Sequence, residues 1–482
     1  TPAASGGSAG ASRRAVSGAV VGGLLLLIAI GAGQFWLSSD DSPPTLEPGP
    51  AEPVPPAVVP EPASTAAAPP PVSPTPQPSP PIENPVLVMD PWERYVSDQL
   101  LGKVLLPEPA EASAVGGGIG SAGFVGPQTC AECHPGRYDG FIETSHYQSS
   151  QMASTETVMG DFEAPSNQVA TRIQRLGYRM DTRPDGLYQT VVVDGRDVHS
   201  ERMDIVVGSG KIGQSYLYWR NDELFQLPMS YLTTPDSWMN SPGYPDGMAD
   251  FKRPVVGGCL QCHSTWFEAR SADLMNHRFL SDGVVLGVTC ERCHGPGEEH
   301  VAYHRAQPEA RAARHIVHPG RLSNERLTDI CRQCHGGLAS PTRAPFSFRP
   351  GESLADYIEP PPGRPGIHTN NQMQQLSLSE CFQQSADMSC ITCHNPHQNE
   401  RGNDALFSLR CQQCHESAEH PLEPTIGAAA LGENCTQCHM PRSPLLETPL
   451  RSRDGVVFPE MVDHFIRTGV SDRDLEARLA AQ

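Results

Sequence analysis

The chain has 482 residues, 15 cysteines and a formal net charge of −20. That acidity excludes a phosphate backbone, so nucleic acid is not expected as a partner. Only 38% of residues are hydrophobic and 6% aromatic, a thin supply for a large interior, so something besides side chains is expected to fill it.

Residues 1–15 carry Arg13 and Arg14 and are expected to face the cytoplasm. Val16–Leu37 is uncharged over 22 residues and ends in Phe35 and Trp36. It is long enough for a single transmembrane helix. The arginines before it, and Asp40 and Asp41 after it, orient the remainder outward. A cleaved signal peptide is the alternative, and either one exports the body. The run exceeds the usual signal core of about 7–15 residues, which favours an uncleaved anchor. Ser12–Arg14 is a weak hint of a twin-arginine signal.

Residues 38–85 form a proline-rich disordered linker, with 18 prolines between Ser42 and Pro85. Such a composition cannot build a packed core. In polyproline II form it reaches on the order of 130 Å. Residues 86–124 continue as a linker, with one short helix expected in the amphipathic stretch Val86–Pro109 and a glycine-rich break at Gly116–Gly123. The folded body is expected over 125–467.

The body opens on CAECH at Cys130. A cysteine-free interval follows, and about 175–232 reads as a β-meander insertion. Within it Tyr178–Asp181 and Leu187–Val193 flank a Pro184-Asp185-Gly186 turn, and Met203–Val207, Ser215–Trp219 and Leu224–Leu227 alternate in polarity. Its expected role is to cap the rest of the body; a docking face is the alternative. CLQCH then begins at Cys259, CERCH at Cys290, CRQCH at Cys331, CITCH at Cys390, CQQCH at Cys411 and CTQCH at Cys435. The seven copies use 14 of the 15 cysteines.

C-x-x-C-H is the attachment sequence of c-type haem. Two thiols one helical turn apart add across the porphyrin vinyl groups, and the next residue presents its imidazole to the iron. The thioether cysteines are Cys130, Cys133, Cys259, Cys262, Cys290, Cys293, Cys331, Cys334, Cys390, Cys393, Cys411, Cys414, Cys435 and Cys438. The proximal ligands are His134, His263, His294, His335, His394, His415 and His439. Zinc ribbons, thioredoxin-like sites and disulfide frameworks use paired cysteines but have no need of a histidine after every pair. The expected cofactors are therefore seven c-type haems. Their motifs occupy 310 residues, or about 44 residues each, which forces haems close together. The large apolar macrocycles account for the missing side-chain core. The body is read as a mainly α/irregular fold organised around a haem array.

Eleven histidines lie outside the motifs. The phrases TCAECHPGRYDGFIETSHYQSSQM, CERCHGPGEEHVAYH, SCITCHNPHQ and NCTQCHMP resemble the multihaem c-type cytochromes, in particular the family of the tetrahaem electron-transfer cytochrome of ammonia oxidisers and its larger paralogues. The resemblance spans roughly Val125–Arg467. It implies distal ligands at His146, His300, His397 and His464; His318, His368 and His420 complete seven candidates. It also implies that a distal histidine serves a different haem from the motif beside it, so His397 is expected to reach an iron other than that of His394. His199, His277, His304 and His315 are weaker candidates. Met373, Met388 and Met440 are alternative axial ligands. Cys381, the odd cysteine, is an inert buried thiol, an axial ligand or an intermolecular bridge. Residues 468–482 are expected to form a C-terminal helix.

The resulting expectation is a cytochrome tethered by one helix to a bacterial inner membrane, its haem domain periplasmic. It would carry electrons from a membrane quinol-oxidising complex to an extracytoplasmic redox protein, as a free carrier or as a subunit of a larger respiratory complex. The alternative is an oxidoreductase acting on a small nitrogen or sulfur compound at a five-coordinate haem. Such enzymes often replace a motif histidine by lysine, whereas all seven motifs here end in histidine and lysine occurs only at Lys103, Lys211 and Lys252. The carrier is the favoured expectation.

Overall fold

The computed structural model of the chain describes residues 100–107, 122–337, 339–359, 370–415, 420–445 and 448–468. Val16–Leu37, the proline-rich linker, His368 and nearly all of the expected C-terminal helix lie outside them. Among the described residues no helix is long and apolar enough to cross a membrane.

The expected linker helix falls mostly on residues before 100. From 100 to 107 the chain is turn and strand, and β1 (Val104–Leu105) is extended. After the first motif come β2 (Ser150–Met152), β3 (Gln168–Ala170), β4 (Leu176–Arg183), β5 (Gly186–Val193), β6 (Arg196–Arg202) and β7 (Ile205–Val207). β8 (Gly213–Arg220), β9 (Glu223–Gln226), β10 (Met229–Leu232), β11 (Ser237–Asn240) and β12 (Ala249–Asp250) follow, the last pairing in parallel with β1. β13 (Ser264–Ala269) and β14 (Phe279–Leu286) form an antiparallel pair on either side of an exposed loop.

The strands make a four-stranded sheet in the order β3-β4-β5-β6 and a six-stranded sheet in the order β11-β10-β8-β7-β2, with β9 also on β8. Local chemistry fixes the hairpins. β5 turns into β6 through Asp194–Gly195, whose φ values of 51° and 73° are the positive ones a two-residue type I′ turn needs. On β4, Leu176, Tyr178 and Met180 point inward at alternate positions, the period of a half-buried strand.

These sheets carry a conventional side-chain core. Leu176, Tyr178, Met180, Val191, Tyr216, Tyr218, Trp238 and Phe251 are among its members. The buried tyrosines find acceptors: Tyr178 Oη donates to the Met248 carbonyl at 3.1 Å and Tyr216 Oη to that of Met159 at 3.0 Å. Buried Gln189 on β5 spans the sheets. Its Nε2 donates to the Met229 carbonyl at 2.8 Å and its Oε1 accepts from the Met229 N–H at 3.0 Å.

The architecture thus differs in part from the expectation of a mainly α/irregular body with a β-meander insertion over about 175–232. It is mixed: β structure is concentrated from Ser150 to Leu286, and short paired strands recur between Ser340 and Val462. The alternating runs were legible, but the short flanking strands β2, β3 and β10 to β14 gave weak periodicity. The low apolar content is also unevenly spread. Fully buried large side chains concentrate in the sheets, and after Cys290 they are few, Phe346, Leu354 and Leu445 among them. The segment from Cys290 onward folds as short helices, connecting loops and a few two-stranded pairs beside a void.

Candidate functional site

Each motif sits on a short helical turn. The N–H of His134, His394 and His415 donates to the carbonyl of the first cysteine of its own motif, at 2.9 Å in each case. One turn of helix therefore brings both sulfurs and the imidazole to one side. The turns are capped locally: Ser389 forms a capping box with Thr392 ahead of Cys390, and Ser323 caps the helix Asn324–His335 that carries Cys331 and Cys334. The second motif differs, because His263 N–H bonds Leu260 instead, at 2.9 Å, in a tighter turn.

Six of the seven motifs open onto one cavity of about 3730 Å³. That is several times the roughly 1,000 Å³ upper range of a pocket for one small molecule. The second motif, Cys259–His263, does not line it. His146, His300, His318, His397, His420 and His464 all do, as do Met373, Met388, Met440 and Cys381.

Across this cavity four histidine pairs face each other. Ring centres are 6.1 Å apart for His146 and His335, 6.2 Å for His294 and His397, 6.3 Å for His394 and His464, and 6.3 Å for His420 and His439. About 6 Å is the separation expected when one metal sits between two imidazoles, each nitrogen about 2 Å from it. Each pair joins a motif histidine to a loose one, and His397 faces His294 of the third motif, not its neighbour His394.

Hydrogen bonds aim several of these rings. Nδ1 of His294, His335 and His439 lies 2.9, 3.0 and 2.8 Å from Val317 O, Gln372 Oε1 and Arg467 O. Nδ1 of His464 lies 3.1 Å from Val462 O. An acceptor at Nδ1 leaves Nε2 with its lone pair free for a metal. His420 is the exception, since its Nδ1 accepts from the Leu422 N–H at 3.1 Å. Burial, then the imidazoles of His335 and His394, pulls His146 down to about 4. Burial, then His464, does the same to His394. Both rings still carry accessible surface, but that surface faces the cavity rather than bulk water. Neutral imidazoles are the form that binds a metal.

The other candidates are placed differently. His300 lies 4.6 Å from His304, too close for a metal between them, and its Nδ1 is 2.8 Å from Arg314 O. His134, His300 and His318 gather near His294, whose pKa they help to lower after burial and against the Val317 carbonyl. His134, His263 and His415 form no facing pair among the described residues. His199, His277 and His315 pair instead with Glu201, Glu223 and Glu299. Cys381 is half-buried beside Cys393 and Cys411.

Sulfurs of different motifs also meet. Cys130 lies near enough to Cys290, Cys262 to Cys334, and Cys331 to Cys390 for each thiol to perturb the other. Cys293 lies by Cys334, Cys393 by Cys414, and Cys411 by Cys435. In motif numbers the contacts run one, three, four, five, six, seven, with the second motif branching from the fourth.

Supporting residues were invisible in the sequence because the variable positions of C-x-x-C-H carry no signal. Glu291, inside the third motif and buried, accepts from the N–H groups of Val125, Gly126 and Gly297 at 2.8, 2.9 and 2.9 Å. It thereby ties the first motif to the third. Arg410, on the helix leading to the sixth motif, bonds Glu400 and the Cys393 carbonyl, both at 2.5 Å.

Thioether-spaced cysteines on helical turns, imidazole pairs at metal-bridging separation and a void too large for one ligand all fit several covalently held haems. Comparison with known proteins agrees. Residues 247–295, which hold the second and third motifs, match the family model described as cytochrome c554 and c-prime. The chain is 21% identical over 376 residues to the dissimilatory sulfite reductase MccA of Wolinella succinogenes, covering 66% of this chain and 47% of that protein. The chain thus spans about half the length of that curated relative. Among solved structures, the outer cell wall cytochrome OcwA aligns with a TM-score of 0.46 and 16% identity over 73% of this chain and 81% of that one. The octahaem sulfite reductase MccA aligns at 0.33 and 15%, over 70% and 56%.

Proposed function

Because the chain is a multihaem c-type cytochrome, we propose that it carries electrons through seven haems between a respiratory donor in the membrane and an extracytoplasmic redox partner. The observation that carries this reading is the set of four imidazole pairs across one cavity. When bound, haem c supplies reversible one-electron chemistry at its iron. The chain's own part is to hold it still. Paired cysteines would fix one edge, the four facing imidazole pairs would keep the coordination of the irons they hold unchanged, and acceptors at Nδ1 keep the rings of His294, His335, His439 and His464 from turning. The contact order of the motifs supplies continuity: no motif is isolated from the rest.

Tethering rests on the sequence. Val16–Leu37 would anchor the chain in a bacterial inner membrane, with the proline-rich segment spacing a periplasmic haem domain from it. A quinol-oxidising complex fits as donor, and an acidic surface favours a basic acceptor. The sulfite reductase named above keeps the oxidoreductase reading in view, since His134, His263 and His415 have no facing imidazole among the described residues.

Intact mass and electron paramagnetic resonance of the oxidised holoprotein test the proposal together. The expected result is a mass seven haems above the 52.0 kDa polypeptide and low-spin signals that ignore added sulfite or nitrite. A high-spin signal that shifts with either anion would overturn the carrier reading.

A further inference from the structure

The third motif holds a charge that the protein leaves unbalanced. Arg292 is 6% exposed. One of its terminal nitrogens donates to the Gln261 carbonyl at 3.0 Å, and its guanidinium lies 5.4 Å from the Phe346 ring centre. Its Nε has no partner. Among the described residues no carboxylate forms an ion pair with it. Adjacent Glu291 is spent on backbone N–H groups, at 2.8 to 2.9 Å. A buried cation without an anion is costly, and a structure keeps one where it acts on something.

Its surroundings say on what. The Gln261 carbonyl that accepts from Arg292 also accepts from the Cys334 thiol at 3.8 Å, and the Cys262 thiol donates to the Gln333 carbonyl at 3.9 Å. These belong to the second, third and fourth motifs, the branch point of the contact order. Half-buried Arg349 stands close behind, near enough for the two charges to oppose each other. Its guanidinium lies 5.7 and 5.8 Å from the ring centres of Phe124 and Trp266. Aromatic rings hold the cations without neutralising them.

We propose that Arg292, backed by Arg349, is a fixed cation that raises the reduction potential where the second, third and fourth motifs meet. The inference rests on haem being attached at those motifs. Ferric haem carries one more positive charge than ferrous, so a buried cation beside it disfavours the oxidised form. The junction becomes the point of the array at which electrons collect. A porphyrin carboxylate reaching the same guanidinium would damp this effect without reversing it.

The test uses the full-length holoprotein, a spectropotentiometric titration and haem counting by peptide mass. Arg292→Gln is expected to lower at least one midpoint by on the order of tenfold in the oxidised-to-reduced ratio, which is about 59 mV for one electron. Arg292→Lys, which keeps the charge, is expected to hold that midpoint near its original value. A haem-replete Arg292→Gln protein with an unmoved titration overturns the proposal. If that variant does not mature, Arg349→Gln is read the same way: a lowered midpoint supports it, and an unmoved curve overturns it. A parent protein without haem on Cys262 or Cys334 sinks the underlying reading instead.

Discussion

Gln189 shows how much a single polar side chain can carry in this body. It is fully buried and completes both backbone hydrogen bonds of Met229, standing in for a missing strand neighbour. Replacing it by leucine leaves a buried N–H and a buried carbonyl unmatched, each worth about 1–3 kcal/mol. The Gln189→Leu variant is therefore expected to lose about 2–4 kcal/mol in denaturant unfolding of the β region, with haem content unchanged. Residue-scale chemistry of the motifs was legible because C-x-x-C-H fixes type and spacing together. Gln189 was not, since a glutamine on an alternating strand reads as an outward position until the second sheet is seen above it.

Elements here are held less by their own cores than by cross-links between short pieces. The helix Asp404–Gln412 buries only Ser408, yet its Arg410 is locked to both oxygens of Glu400 and to the Cys393 carbonyl, while Glu400 Oε2 also accepts from the Asn395 N–H. The fifth and sixth motifs are joined by that lock. Arg410→Met strands a mostly buried carboxylate and is expected to destabilise the protein by about 3 kcal/mol, measured as a lowered unfolding midpoint. The pH dependence follows from Glu400, whose carboxyl the Arg410 guanidinium holds below its ordinary value of 4.5. Its contribution is fully present above pH 4.5 and is lost as pH falls through the lower, folded value. Arg410→Met should flatten that acid limb. Strand hairpins with strong alternation were readable from sequence. The pairing of histidines was not, because facing partners lie far apart along the chain and spacing says nothing about which loop crosses the cavity. His300 rests on a phrase and His318 on completing a set of seven, and neither meets a facing ring at metal-bridging separation among the described residues.

At the scale of the molecule the body has two kinds of interior. The sheets are filled by side chains, and the segment after Cys290, with the first motif and His146, lines the cavity. Composition averages the two, which is why it predicted a thin core everywhere. Without haem the sheets keep their apolar cluster while the helical turns lose what they wrap. Limited proteolysis of haem-free protein, expressed without maturation, is accordingly expected to spare a fragment near residues 150–286 and to cut after Cys290. Uniform cleavage across both regions would contradict this division. The pairing of His394 with His464 has a further consequence, in the order of biogenesis. His464 follows all seven motifs along the chain, so a fifth site closed by both histidines would form only after each of the seven has been made. Its closure is a late checkpoint: a chain truncated before that histidine would display an open coordination site to quality-control proteases and to stray ligands alike.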